Sequence, residues 1–157
     1  MLSNNKGDIS LSNVEKSCDN VAEILKAEPI TPGEYDIICS PEVTGLIAHE
    51  AFGHGVEMDM FVKNRAKAKD YIGKSVASTV TEMHDGAKAA TQVSSYLFDD
   101  EGTLASDTCI IKNGVLQQGM CDLLSSMQLG IQPTGNGKRE SFERKAYTRM
   151  TNTFFSV

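Results

Sequence analysis

The chain has 157 residues, of which 40% are hydrophobic and 23% charged, with no Trp. That composition suits one folded domain of ordinary size and argues against a disordered segment. The net charge of -6 and pI near 5.0 argue against a nucleic-acid partner, which needs a basic surface to neutralise phosphates.

Residues 1–9 are polar, with neither a basic stretch nor an apolar run of the kind that begins a secretory signal. No segment is long and apolar enough to span a bilayer. The expectation is a cytoplasmic chain without membrane contact. Cys18, Cys39, Cys109 and Cys121 make no Cys-x-x-Cys pair. Cys39 and Cys109 lie in apolar runs and read as buried, reduced thiols.

Helical periodicity begins near Leu11, where Val14, Cys18, Val21 and Leu25 form one apolar stripe. Ser12 and Glu15 have the spacing of a capping box. The segment PITPG (29–33) ends this helix. YDIIC (35–39) is an apolar run of strand type. Ser40 and Pro41 suit an N-cap and a first helical position, so a second helix is predicted from Pro41 to about Phe61.

Downstream the pattern turns to β. SVASTVTEM (75–83) reads as a strand, HDG (84–86) as a turn and QVSSYLF (92–98) as a pairing strand, before a solvated acidic loop at DDEG (99–102). TCIIK (108–112) and VLQQGM (115–120) flank Asn113-Gly114, the pair favoured in a tight type I′ hairpin. A short helix is predicted from Cys121 to Leu129, ending at Gly130. PTGNGKRES (133–141) reads as a loop, and TNTFFSV as an unfinished strand. Helices followed by an antiparallel β meander give an α+β class. The expected division is a helical segment, 1–34, before a core domain, 35–157.

The chemistry sits in LIAHEAFGHGVEMDM (46–60). His49 and His54 are imidazoles suited to zinc, and Glu50 is a carboxylate able to take a proton from a metal-activated water. The common zincin motif separates its histidines by four residues, which keeps both on one helix face. Here the separation is five, which places the side chains about 140° apart on an ideal helix. A π-bulge adds one residue to a turn and restores the alignment. A bulge, kink or helix end is therefore predicted within Phe52–Gly55. Three specified residues in six are weak information by themselves, and the pattern also suits an α+β interaction module with two core histidines.

Several motifs together resemble the TldD/PmbA family of metallopeptidases. HEAFGHGVEMD (49–59) is similar to the H-E-x-x-x-H region of its metal-bearing branch. DDEGT (99–103), IKNGVLQQGM (111–120), PTGNGKRES (133–141) and RMTNT (149–153) follow in the family's order. The resemblance covers roughly residues 35 to 155. It implies a partial metallopeptidase domain that hydrolyses peptides or unfolded protein segments. His49 and His54 would be zinc ligands, and Glu50 the general base. It also implies a PmbA/TldE-like partner subunit that lacks the histidines, or self-association. The alternative it leaves is a metal-free scaffold subunit.

In that family a cysteine much nearer the C-terminus completes the zinc site, and neither Cys109 nor Cys121 corresponds to it. The chain therefore resembles a central fragment. Alone it is expected to be inactive and to bind zinc weakly, if at all. Asn136, in the PTGNG loop, and Arg139 are candidate substrate-binding residues. Arg149 could likewise grip a carboxylate. Glu57 could orient His54 or be an exposed helix carboxylate.

Overall fold

A computed structural model describes residues 10–156. The chain divides into two compact units, residues 1–37 and 38–157. In the first, α1 (Leu11–Ile24) starts at Ser10, whose side chain accepts from the Asn13 amide. Ser12 is thus inside the helix, and its hydroxyl bonds to that of Ser10. No α1 residue is buried.

YDIIC, at the boundary of the two units, is not a strand. Residues 35–39 run as coil, and Ile38 is fully exposed. No neighbouring strand offers backbone partners there, and an apolar run alone does not make a strand. α2 (Pro41–Ile47) has Pro at its start and Glu42 in its first turn, next to the positive end of the helix. It passes directly into a π-helix, Ala48–Gly53, and then a 3₁₀ turn, His54–Val56. Glu57 is extended, α3 (Asp59–Val62) follows, and a 3₁₀ segment spans Lys67–Tyr71. The single long helix of the sequence reading is therefore four short pieces with different windings.

The sheet is antiparallel, in the order β3-β2-β1-β6. Its strands are β1 (Glu82–Asp85), β2 (Thr108–Lys112), β3 (Val115–Leu116) and, later in the chain, β6 (Thr153–Ser156). Asn113 (φ 50°) and Gly114 (φ 76°) make the expected tight turn. β1 begins later than predicted and includes His84 and Asp85, which the sequence suggested were a turn. Its neighbours are β2 and β6, and QVSSYLF is turn and coil apart from a single bridge from Phe98 to Leu104. The terminal TNTFFS segment is thus paired, His84 opposite Phe154 and Asp85 opposite Thr153. α4 (Leu123–Leu129) is capped by Asp122 and ends at Gly130 with φ 68°. β4 (Gly137–Lys138) pairs with β5 (Tyr147–Thr148) inside the stretch read as a loop.

The core joins the sheet to the π-helix. Met83, Ile110, Ile111, Leu116 and Met120 pack with Ala48, Val56 and Met150, while Phe52 and Phe155 close the edge. Strand alternation places Asp85 on the same inward face as Met83. Its buried carboxylate accepts from the amide of Asn136 (2.6 Å), the backbone amide and hydroxyl of Thr151 (both 2.9 Å) and the hydroxyl of Thr153 (2.5 Å). A buried carboxylate with this many donors stays satisfied.

The acidic loop is also structural rather than solvated. Asp99 is buried and accepts from the amides of Glu101, Thr103 and Gly137. Glu101 accepts from the Leu123 amide at the start of α4. Cys39 and Cys109 are only half-buried, whereas Cys121 is fully buried; all four cysteines are free thiols.

Candidate metal centre

The π-helix exists because the chain must fit three constraints into six residues. Ala48 and Phe52 face the core, and Gly53 lies against Met150. A Cβ on Gly53 would stand 2.0 Å from the Met150 sulfur, so glycine permits the close approach. The wider winding then swings His49 and His54 to one side. Their rings are edge-to-face with centroids 4.8 Å apart. A ligand atom from each of His49, Glu50 and His54 lies within 4.8 Å of the others, and all three side chains are exposed.

This donor set fits a zinc ion in kind. It provides two imidazoles and a carboxylate on one open face, with room for water and a further ligand. Donors around tetrahedral zinc stand about 3.4 Å apart, so a modest side-chain rotation closes the group. Among the described residues no other His, Cys, Asp or Glu joins the cluster. Cys109 sits in β2, and Cys121 packs against Gln132 and Thr134. Burial raises the pKa of both thiols, which disfavours the thiolate a metal requires.

Behind His54 stands Glu57. It is buried, with 5% exposure, rather than an exposed helix carboxylate. Its Oε1 approaches His54 Nδ1 at 3.4 Å and has no hydrogen bond. Its Oε2 receives the Arg149 guanidinium, also at 3.4 Å. Burial pushes the Glu57 pKa up, against the pull of Arg149 and His54. The backbone here is fixed by two bonds: Met58 N donates to Met120 O (2.9 Å), and Met120 N donates to Val56 O (3.0 Å). Asp59 is also buried and pairs with Lys63 at 2.8 Å.

Residues 32–157 match the family profile described as the PmbA/TldA metallopeptidase C-terminal domain. The chain belongs to the PmbA/TldD metallopeptidase family. It is 36% identical over 131 residues to a metalloprotease of Methanocaldococcus jannaschii, covering 83% of this chain and 29% of that one. It is 34% identical over 146 residues to a zinc metalloprotease TldD homolog of Saccharolobus solfataricus, covering 92% and 32%. The crystal structure of TldE from Thermococcus kodakarensis shares the fold, with TM-score 0.63, 21% identity, and 73% of this chain and 26% of that one covered. The chain thus spans under a third of these relatives.

The remaining candidates separate. Asn136 is fully buried, its amide nitrogen donating to Asp85 and to the Arg149 carbonyl and its oxygen accepting from Thr134. It cannot touch a substrate in this arrangement, and its place is in the Asp85 network. Arg139 is exposed and lines a cleft that also includes Arg149. His84 is half-buried in β1, bonded to Asp107 at 2.7 Å and stacked on Phe154. Glu57 was findable from its spacing, three residues after His54. Arg149 has no local signal, because 92 residues separate it from Glu57. No described helix is long and apolar enough to cross a membrane.

Proposed function

We propose that this chain carries the zinc-binding helix of a peptidase, with His49 and His54 as ligands and Glu50 as general base. The convergence of these three side chains on one open face supports the reading. Zinc bound there would supply Lewis acidity, polarising a peptide carbonyl and easing deprotonation of water. Glu50 takes the proton from the attacking water and returns it to the leaving amine. Glu57 Oε1 stands 3.4 Å from His54 Nδ1, near enough to attract a proton there, which would leave Nε2 to bind metal. Arg149 supports Glu57 from the far side.

The substrate is a peptide or an unfolded protein segment, since an open face admits an extended chain. A third protein ligand comes from outside the described cluster, so this chain alone binds zinc weakly and does not cleave. A PmbA/TldE-like subunit, or a second copy, is the proposed partner. The proposal is tested in the full-length protein by Glu50→Gln. Hydrolysis should fall by about 10² to 10⁴ while bound zinc, measured by atomic absorption, stays unchanged. Undiminished cleavage by that variant would end the mechanism, and a metal-free scaffold would then be the better reading.

A further inference from the structure

Beside the metal centre lies a cleft of about 800 Å³. Lys138, Arg139, Arg144, Lys145 and Arg149 line it, with Tyr147 among them. Glu140 and Glu143 line it too, yet neither lies within ion-pair distance of a cation among the described residues. Arg139, Arg144 and Lys145 thus have no carboxylate partner there, though acids stand in the same wall.

Arg139 donates to the Arg144 carbonyl (2.6 Å), and Lys138 and Arg149 are engaged as well. Lys138 donates to the Met150 carbonyl, and Arg149 to Glu57 and the Thr148 carbonyl. The Tyr147 ring gathers Lys145 at 4.6 Å, Arg149 at 5.5 Å and Lys63 at 5.4 Å. Of these three, Lys63 pairs with Asp59 and Arg149 with Glu57, which leaves Lys145 without a carboxylate among the described residues. The cleft reaches the metal centre through one chain of contacts, from Arg149 to Glu57 to His54.

We infer that this cleft holds the acidic side chains of an extended peptide whose scissile bond lies at His49, Glu50 and His54. The inference deepens the peptidase reading and rests on it. Several cations spread along a cleft match successive side-chain carboxylates better than a single terminal one. Arg supplies the fork that grips a carboxylate in two places.

The test is fluorescence anisotropy with full-length protein carrying Glu50→Gln, so that no probe is cut. The probes are fluorescein-labelled, C-terminally amidated Ala-Glu-Ala-Glu-Ala-Glu and its Gln and Lys analogues. The Glu peptide should bind about tenfold more tightly than the Gln peptide, as three exposed ion pairs allow. Arg144→Glu combined with Lys145→Glu should reverse the order in favour of the Lys peptide, which misfolding could not produce. Equal affinity for the Glu and Gln peptides, no binding of any peptide, or an order unchanged by the double variant would overturn the inference. So would displacement of the Glu peptide by a single-stranded oligonucleotide of equal charge. Cleavage without charge preference would leave the peptidase reading standing, and charge preference without cleavage by unsubstituted protein would leave only the cleft.

Discussion

Gly119→Ala is the sharpest test of how the metal helix is anchored. A Cβ there would stand 2.1 Å from the Val56 carbonyl oxygen and 2.7 Å from Met58 Cγ. The first obstacle is backbone, so the segments must separate by roughly 1 Å or more to reach ordinary contact. Both bonds between Met120 and the Val56–Met58 segment would stretch. Two hydrogen bonds at about 1 kcal/mol each, with overpacking of about 1–3 kcal/mol, give a loss of about 3–5 kcal/mol. Urea denaturation followed by circular dichroism measures it. Gly55→Ala is the control, because a Cβ there meets nothing within 4 Å, and it should be neutral or stabilise by up to about 1 kcal/mol. Zinc affinity in the full-length protein should fall with Gly119→Ala, since Glu57 lies between the two bonded residues. A Gly119→Ala variant within about 0.5 kcal/mol of its parent, with zinc binding intact, would refute the anchoring argument.

Asp85→Ala strips the buried Asn136 and Thr151 donors of their acceptor and should cost about 3 kcal/mol or more, read from the same denaturation curves. Gly114→Ala places a Cβ 2.4 Å from the Ala77 carbonyl at φ 76°. It should cost at least about 2 kcal/mol, seen as a lower Tm. Burial raises the Cys121 pKa, so at neutral pH its thiolate fraction falls and its reaction moves to higher pH. Iodoacetamide should therefore label exposed Cys18 promptly and Cys121 only on unfolding, as peptide mass spectrometry will report.

The sequence revealed features whose causes are local. Asn113-Gly114 dictates its turn through positive φ, and a separation of five positions between the histidines demands an altered helical winding. Long-range pairings stayed hidden. YDIIC has strand composition, but composition names no partner. DDEG looked solvated because nothing nearby shows that Asp99 accepts from the Gly137 amide, 38 positions away. Asn136 looked like a binding residue for the same reason: its partner Asp85 is 51 positions away. Of the candidate site, the two imidazoles and Glu50 were legible from spacing, and the pairing of Arg149 with Glu57 was not.

The expanded turn between Ala48 and Gly53 makes this stretch intolerant of any change in length. Deleting one residue would let the chain relax to ordinary winding and would rotate everything on one side of the cut by about 100°. Ala48 and Val56 would then no longer point into the same core, and the histidines would part. Among homologues that keep the chemistry, insertions and deletions should therefore be absent from these six positions.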